Sequence, residues 1–575
     1  MINRKIIKAR SNYISKVFAI LFALLIVRSI FIQLFPSSAN LLQHIADKQY
    51  QSEISLSAFR GNIYDRRKAP LSISIKTPSV AINPKVFDPS PVQLRQISKI
   101  LRLPKKRIQA LASKPKYFAW LKRKVPYQLA EKLKKLDPKG LHYVLEPSRY
   151  YPGGRAAANL LGYVGTDNVG LLGLEHAFDE QLQGTSSKLI SLKDARGHLI
   201  LMNAKQITPE KTGNNIILTI DRAIQGITEE ALLAGVEKSG AKMGFAIVMD
   251  PHTGRILSMA NYPNFNPNNP EQLRINHTAN HSIAYRFEPG SVMKPFVVAW
   301  AIEMRKTSPF EIHHCEKSGK YEVSENLYIH DDHPKEFRTT EEILIHSSNI
   351  CTFKVALRIG QRNLFESLKR FGFAGEKAIL GLPGESIGSI SDSSTWSPIR
   401  FANISFGQGL LVTGLEVVQA YASLANGGNL IKPYLVERIE SSDGSILQDY
   451  SPIIKRRVLS PQTSHHIAKI LEKVVTEGTA TRAKTNSYST AGKTGTAEKI
   501  DPITKSYANN KRIANFAGFA PVSDPHIAVY VVLDEPQKKP YYGGLWAAPV
   551  FSEIVEKTLK YLNVAPDLRA HHNQS

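Results

Sequence analysis

The sequence predicts a mixed α/β domain that follows one membrane-spanning helix and a separate, smaller module. Three observations support this architecture. An apolar run near the N-terminus is long enough to cross a bilayer, and 575 residues leave room for two or more domains. From residue 214 onward, strand-like and helix-like hydrophobic patterns alternate, which is typical of α/β domains.

The first 40 residues predict a single membrane anchor. The apolar stretch from Tyr13 to Phe35 can span a bilayer, and the cations before it place the N-terminus in the cytoplasm. A cleavable signal peptide is the alternative, disfavoured by the long apolar run and the lack of a clean cleavage site. Arg28 is costly in lipid unless it snorkels or faces a partner helix. We therefore expect a cytoplasmic tail over 1–12, a helix over 13–35 and a juxtamembrane linker over 36–56, with the rest outside the cytoplasm.

Composition narrows the possible partners. The net charge is +25, from 74 Lys and Arg against 49 Asp and Glu. Because no nucleic-acid motif accompanies this charge, we favour attraction to an anionic membrane or polymer, with a solvated basic surface as the plain alternative. Cys315 and Cys351 are too few for a disulfide scaffold, and we predict free thiols although they could pair in an oxidising compartment.

Residues 57–210 predict a module of their own. The stretch Arg60-Gly61-Asn62-Ile63-Tyr64-Asp65 begins with a turn, and Leu71 to Ile75 alternates as a strand does. A basic helical stretch then runs from Pro91 to Leu136, and we interpret its region 102–135 as a solvated face, with an anionic glycan or lipid headgroup as the alternative ligand. No nucleophile–base pair is evident, so a structural or docking role is favoured.

The pattern changes at Asn214. Residues 215–220 predict a strand and residues 222–236 an amphipathic helix. Two further strands, 245–249 and 256–260, flank the turn Asp250-Pro-His-Thr-Gly254. We expect one α/β domain over 214–562, followed by a flexible tail over 563–575.

One stretch of this domain carries a nucleophile pattern, Glu288-Pro-Gly-Ser291-Val-Met-Lys294-Pro295. A turn at Pro289 and Gly290 precedes an apolar helix, so Ser291 lies near a helix N-terminus, where N–H groups favour negative charge. Lys294 is one turn further on the same face and can serve as the base if burial or a neighbouring cation lowers its pKa. The same spacing recurs at Ser113–Lys116 and Ser239–Lys242, where Pro115 and Gly240 disfavour a helix.

Two more stretches can complete such a site. Ser347-Ser348-Asn349 is expected on an amphipathic helix, where Ser347 can pass protons and Asn349 can bind a peptide group, although a helix cap is the plain alternative. In Lys493-Thr494-Gly495-Thr496, glycine allows close approach of a ligand backbone, while the cation and the hydroxyl groups can bind a carboxylate. A strand N–H here and that of Ser291 can form an oxyanion hole.

In this order the three motifs resemble those of the penicillin-binding proteins, and the resemblance covers nearly the whole chain. The module 57–210 resembles the pedestal of the class B enzymes through Arg60-Gly61…Asp65, Arg149-Tyr-Tyr-Pro152 and Gly173-Leu-Glu175. The division-specific FtsI type is indicated by Phe265-Asn-Pro-Asn268, Gly407-Gln-Gly409 and Tyr541-Tyr-Gly-Gly544. The expected fold is thus the α/β (α+β) penicillin-binding fold of serine transpeptidases, with an elongated pedestal or dimerisation-type domain.

The resemblance implies a peptidoglycan D,D-transpeptidase that needs no cofactor and no metal. Ser291 would attack the D-Ala–D-Ala amide, Lys294 would take its proton and Ser347 would pass a proton to the leaving amine. Asn349 would hold the acyl chain, and Lys493, Thr494, Gly495 and Thr496 would bind the terminal carboxylate. β-Lactams would acylate the same serine. An amine of a second stem peptide would resolve the acyl-enzyme.

The resemblance also implies a protein partner and a cellular location. We expect a single-pass inner-membrane protein at the division septum, with a periplasmic catalytic domain and a polytopic membrane glycosyltransferase as partner. Contact is expected through residues 13–35 and the pedestal. Arg28→Leu should weaken this association, and unchanged co-purification would count against that contact.

Other readings stay open from the residues alone. The elongation-specific class B enzyme is the nearest alternative, and a β-lactamase, a β-lactam sensor and a non-catalytic division scaffold follow it. A His-, Cys- and Asp-rich segment near Ser347 fits no standard zinc spacing, so we interpret it as a polar loop. Its members are His313, His314, Cys315, His330, Asp331, Asp332, His333, His346 and Cys351.

Overall fold

The computed structural model describes residues 4–34, 51–56, 58–115, 118–193, 199–208, 211–500 and 507–568. These residues form two compact units. The first comprises residues 1–58 and 184–211, and the second comprises residues 59–183 and 212–575. Most of the expected linker 36–56 and the end of the expected tail, residues 569–575, lie outside the described residues.

The first unit contains a long apolar helix and a small sheet. The helix runs from Arg4 to Leu34, and its segment Lys5–Gln33 is the one described helix that is long and apolar enough to cross a membrane. Its large apolar side chains are exposed, as expected for a surface that faces lipid. The antiparallel sheet has Ser187–Lys193 between Gln51–Leu56 and Leu199–Thr208, so a strand begins within the expected linker.

A five-stranded antiparallel sheet forms the centre of the second unit. Neighbouring residues of one strand face opposite helical layers: Gly244 lies against Leu232 of one helix, whereas Phe245 lies against Gly414 of another. Helices therefore cover both faces, which confirms the predicted α/β class. In spatial order the strands are Ile256–Tyr262, Met243–Met249, Ile527–Asp534, Tyr507–Ala520 and Ala491–Ile500.

The helices of this part of the chain follow the predicted pattern of apolar faces. The predicted helix 222–236 extends to Ser239, where Gly240 ends it in the left-handed conformation that glycine favours. The principal α-helices are Arg222–Ser239, Lys294–Glu303, Thr340–Ile345, Asn349–Ile359, Gln361–Arg370, Pro398–Ser405, Gly414–Ala425, Pro461–Thr476 and Gly543–Tyr561. Short strand pairs are Ile312–His314 with Phe337–Thr339, Lys320–Ser324 with Leu327–His330, and Asn429–Ile431 with Ile454–Arg457.

A second sheet joins the N-terminal part of the second unit to the rest of it. Residues of the predicted strand 215–220 form Asn215–Leu218, which pairs in parallel with Ile63–Tyr64 and antiparallel with Val436–Glu440. The spatial order is Ile446–Asp449, Val436–Glu440, Asn215–Leu218, Ile63–Tyr64, Pro70–Ile82 and Ala119–Lys122, with Leu141–Tyr150 also paired to Pro70–Ile82.

The motif residues quoted from the N-terminal module meet inside the protein. Arg60 and Arg149 each donate from Nε to one carboxylate, that of Glu175, at 2.6 Å. All three side chains are buried, so removal of the carboxylate would leave Arg149 without its acidic partner, whereas Arg60 would keep its ion pair with Asp179. These residues hold the module together rather than face solvent.

Residues 83–140, which we call the basic lobe, have a small core of their own. Three helices, Pro91–Leu101, Lys105–Ala112 and Tyr127–Lys134, pack with the strand Ala119–Lys122. The predicted continuous helical stretch 91–136 is therefore interrupted by a strand. The core side chains include Ile97, Leu101, Ile108, Leu121 and Leu133.

The prediction of free thiols is wrong, because Cys315 and Cys351 form a disulfide. Their Cα atoms lie 5.2 Å apart, a separation that a disulfide spans without backbone movement. Both residues are fully buried. The two cysteines are 36 positions apart in the sequence, so their pairing depends on how the intervening chain folds and cannot be deduced from the number of cysteines.

Candidate active site

The predicted nucleophile lies in a tight turn that several contacts hold. Gly290–Met293 forms a 3₁₀ turn, and the nucleophile helix Lys294–Glu303 continues from it, so Ser291 lies at a helix N-terminus as predicted. The N–H of Gly290 donates to the carbonyl of Gly407 at 2.9 Å. A side chain at Gly407 would meet the Gly290 carbonyl oxygen at 2.0 Å, so this contact requires glycine.

Glu288 fastens the same turn from its other side, a role that the sequence did not reveal. Its carboxylate accepts from the N–H of Gly409 at 2.9 Å and from the Tyr507 hydroxyl group at 3.2 Å. Burial raises the pKa of this carboxyl group, and the two donors oppose the rise. The stretch Gly407-Gln-Gly409 thus holds the nucleophile turn at two points.

Lys294 is wholly buried and contacts the second motif. Its Nζ donates to the backbone carbonyl of Ser347 and to Ser347 Oγ, the latter at 3.1 Å. Burial lowers the pKa of Lys294 to about 7, against the opposing negative charges of Asp331 and Asp332. A substantial fraction of the amine is therefore neutral near pH 7 and can accept a proton. Among the described residues, the Ser291 hydroxyl group has no hydrogen-bond partner, so no hydrogen bond joins it to Lys294.

Ser347 does not lie on a helix, contrary to the prediction. It occupies the turn between Thr340–Ile345 and the Ser-x-Asn helix, Asn349–Ile359, with a positive φ of 60°. The reason is the cap: Ser348 Oγ accepts from the N–H of Cys351, which starts the helix after Ser347. The turn aims the carbonyl and hydroxyl groups of Ser347 at Lys294.

Asp331 fixes the start of the Ser-x-Asn helix, and the sequence analysis missed this role. Its carboxylate accepts from Ser348 Oγ and from the N–H groups of Asn349 and Ile350. A carboxylate at this position also interacts favourably with the helix dipole. The Asn349 amide donates to the carbonyl of His330 at 2.8 Å. Because Asp331 and Ser348 are 17 positions apart in the sequence, no local pattern could have paired them.

The third motif forms the edge strand of the five-stranded sheet, Ala491–Ile500, beside the nucleophile turn. Lys493 is fully buried and donates from Nζ to the carbonyl and hydroxyl oxygens of Thr494, at 3.2 and 3.3 Å. Burial, and secondly the charge of Lys294, lower the pKa of Lys493 well below its ordinary value. The two lysines are thus close enough to repel each other.

The remaining residues of the third motif lie beside the nucleophile turn and the stretch that contains Gly543. Thr494 Oγ1 lies 3.1 Å from Thr479 Oγ1, and Thr496 Oγ1 accepts from the N–H of Gly543 in the quoted stretch Tyr541-Tyr-Gly-Gly544. A side chain at Gly495 would meet the carbonyl oxygen of Pro289 at 2.7 Å, so the strand lies directly on the nucleophile turn. All three motifs therefore converge on one site.

The His-, Cys- and Asp-rich segment is used for structure. His313 lies within hydrogen-bond distance of Thr307 and Thr340, both cysteines are in the disulfide, and Asp331 caps the Ser-x-Asn helix. Within the described ranges, no three His, Cys, Asp or Glu side chains are grouped so as to hold a metal ion.

Comparison with known proteins agrees with the converging motifs. The transpeptidase domain of penicillin-binding proteins matches residues 244–556, and the penicillin-binding protein dimerisation domain matches residues 55–218. The chain belongs to the class B penicillin-binding proteins. At this level it is a peptidoglycan D,D-transpeptidase.

Similar proteins of this family extend along nearly the whole chain. Peptidoglycan D,D-transpeptidase FtsI of Escherichia coli is 32% identical over 97% of this chain and 94% of its own length. Probable peptidoglycan D,D-transpeptidase PenA of Neisseria meningitidis is 31% identical over 97% and 93%. A crystal structure of penicillin-binding protein 3 from Mycobacterium tuberculosis, complexed with aztreonam, is 26% identical with a TM-score of 0.70 and covers 90% of this chain and 99% of that one.

Proposed function

We propose that this class B penicillin-binding protein cross-links stem peptides during septal wall synthesis through an acyl-enzyme on Ser291. The observation that carries the proposal is the buried Lys294 amine, whose pKa of about 7 suits a general base. Ser347, hydrogen-bonded to that amine, is the relay to the leaving group.

The steps follow from these positions. Ser291 Oγ attacks the carbonyl carbon of the D-Ala–D-Ala amide while Lys294 accepts its proton. The N–H groups of Ser291 and Thr496 stabilise the oxyanion. The C–N bond then breaks, the amine takes a proton through Ser347, and D-alanine leaves. An amine from a second stem peptide attacks the ester, loses a proton to the same base and frees Ser291. With water instead of the amine, the site acts as a D,D-carboxypeptidase.

The other motif residues bind the substrate. Lys493, Thr494, Gly495 and Thr496 receive its terminal carboxylate, and Asn349 holds the acyl chain after its amide turns away from His330. No step requires a cofactor or a metal ion. β-Lactams acylate Ser291 in the same way, and the relative complexed with aztreonam supports this assignment.

The cellular role and boundaries are also proposals. The similarity to a relative named FtsI favours septal over elongation-specific synthesis. The helix Arg4–Leu34 anchors the protein in the inner membrane, with a cytoplasmic N-terminus, a pedestal over 57–210 and a periplasmic transpeptidase domain over 214–562. A polytopic membrane glycosyltransferase, together with other division proteins, is the proposed partner. The competing role is that of a scaffold that binds β-lactams without turnover.

Intact-mass spectrometry of the full chain after exposure to a fluorescent penicillin tests the proposal. We expect a stable adduct on the wild type and none on Ser291→Ala. An adduct that clears within seconds would indicate a β-lactamase. A folded wild type without adduct would favour the scaffold. Release of D-alanine and formation of cross-linked product from a pentapeptide glycan then separates turnover from β-lactam binding.

A further inference from the structure

Half of the net charge of the chain resides in the basic lobe. Residues 83–140 contain 16 Lys and Arg against 3 Asp and Glu, a net charge of +13 out of +25 for the whole chain. This lobe is about a tenth of the chain. Positive side chains at this density repel one another, and this repulsion destabilises the folded lobe.

Two of the lobe's cations differ in their surroundings from a run of four others. Lys122 and Arg123 pair with acids outside the lobe: Lys122 with Glu271 at 3.2 Å, and Arg123 with Glu146 at 2.7 Å. The run from Arg102 to Arg107 is different, because Arg102, Lys105, Lys106 and Arg107 are exposed and no carboxylate in the described chain lies within salt-bridge distance of them. One of the lobe's three acids, Glu131, already pairs with Lys134 at 2.7 Å.

The position of these cations is unfavourable for the helix that carries them. Lys105, Lys106 and Arg107 form the first turn of the helix Lys105–Ala112, which has no acidic residue in that turn and no side-chain cap. Positive charge at a helix N-terminus opposes the helix dipole. The cost indicates that the charge serves something other than the stability of the lobe.

An exposed aromatic ring precedes the neighbouring strand. Ile108 of the helix and Leu121 of the strand Ala119–Lys122 share the small core, which puts the two elements side by side. Phe118 is 45% exposed, and its ring stands edge-on to that of Trp120 at 4.8 Å between centroids. The guanidinium group of Arg123 covers the Trp120 ring at 5.5 Å from its centroid, so the Phe118 ring is the one open to a ligand.

We propose that the basic lobe docks nascent, uncross-linked peptidoglycan, the polymeric form of the substrate. The proposal rests on the proposed function. A stem peptide that has not been cross-linked ends in a carboxylate, which the cations attract, and the C–H faces of amino sugars fit aromatic rings. The charge complementarity and the exposed ring of Phe118 together favour this polymer over an acidic protein or an anionic lipid headgroup.

A consequence of this proposal is that the glycan strand attaches to the protein at a second, non-catalytic site. A strand held by the lobe brings its other stem peptides to the active site at a raised effective concentration without any change at Ser291. Because the contact is electrostatic, it weakens as ionic strength rises.

The test uses the full chain in nanodiscs of zwitterionic lipid and measures binding to purified sacculi rich in uncross-linked stem peptides. The test variant is Lys105→Glu/Lys106→Glu/Arg107→Glu. The matched control, Lys377→Glu/Lys432→Glu/Lys538→Glu, makes the same change of charge at exposed lysines outside the lobe. We expect the test variant to bind sacculi about tenfold more weakly or worse, and the control to bind within about twofold of wild type.

Two accompanying measurements separate docking from folding and from catalysis. Glutamates in the first helical turn favour the dipole, so the test variant should melt no lower than wild type while it loses binding. Acylation of Ser291 by a fluorescent penicillin should be unchanged in both variants. Loss of acylation in the wild type would contradict the proposed function, not the docking surface.

Three results would overturn the docking proposal. The first is equal sacculus binding by the test variant and the control. The second is competition by sugar-free polyglutamate as strong as that by soluble uncross-linked glycan chains, which would indicate an acidic protein ligand. The third is loss of wild-type sacculus binding when phosphatidylglycerol is added to the nanodiscs, with no such change in the test variant, which would make the lobe a lipid site.

Discussion

The catalytic cleft and the basic lobe use cations in opposite ways. In the cleft, Lys294 and Lys493 are fully buried, close enough to repel each other, and burial lowers the pKa of both. In the lobe, Lys105, Lys106 and Arg107 are exposed and unpaired within the described chain. Cations are thus buried, where their charged form is disfavoured, in one place and exposed to solvent in another.

The difference separates a chemical role from a binding role. A buried amine that loses its proton near neutrality can accept one from a serine, whereas a solvated ammonium group can only attract anions. Environment decides between the two roles, and each can be disturbed without the other. The predictions below exploit this independence.

The largest effect is expected from removal of the buried base. Lys294→Met keeps a side chain of similar length that cannot accept a proton, and we expect acylation of Ser291 to fall by about 10³-fold or more. Stopped-flow mixing with a chromogenic β-lactam measures the rate. Thermal melting serves as the folding control, and near-normal acylation by a folded Lys294→Met protein would show that another group is the base.

The second prediction concerns the disulfide between Cys315 and Cys351, the latter in the Ser-x-Asn helix. Cys315→Ser/Cys351→Ser opens a loop of 36 residues, and the free energy of unfolding should fall by about 4 kcal/mol because the unfolded chain gains entropy. Since the loop carries Asp331, acylation should also slow. Calorimetry of the full chain with and without reductant measures the effect, and a melting temperature equal to that of wild type would contradict it. Sacculus binding by the basic lobe should not change.

A smaller effect is expected from the two aspartates near Lys294. Both negative charges raise the pKa of Lys294, so Asp331→Asn and Asp332→Asn should each lower it and move the rise of acylation with pH to lower pH. Asp331→Asn should in addition lower the acylation rate at high pH by about tenfold, because it weakens the helix cap. Asp332→Asn is the matched control. Identical pH–rate profiles for both variants and the wild type would refute this electrostatic link.

The smallest expected effect is a difference in salt dependence between the basic lobe and the catalytic cleft. An increase from about 50 to about 200 mM salt should weaken sacculus binding several-fold, since the lobe's cations are exposed. Acylation of Ser291 by a β-lactam whose side chain carries no charge should change by less than about twofold. The reason is that salt ions screen the buried lysines poorly. If acylation depended steeply on salt and sacculus binding did not, the proposed difference between the cleft and the lobe would be contradicted.

The sequence predicted what local patterns encode. The order of the three motifs, the apolar helix after Ser291 and the strand at Asn215 depend on short spacings, and the structure contains all of them. The cap at Ser348 corresponds to the alternative interpretation of Ser347-Ser348-Asn349, and it excludes Ser347 from the helix. The disulfide and the clamp by Asp331 join residues 17 or more positions apart, and such contacts depend on how the intervening chain folds.

The most direct test of the central claim is the pH dependence of Ser291 acylation, measured as the second-order rate constant for penicillin between about pH 5.5 and 8.5. Lys294 must be neutral to accept the proton, so the rate should rise as pH rises through about 7, the pKa of the buried amine, and level off above it. A rate constant that is flat across this range, or that falls as pH rises through 7, would contradict the assignment of Lys294 as the base.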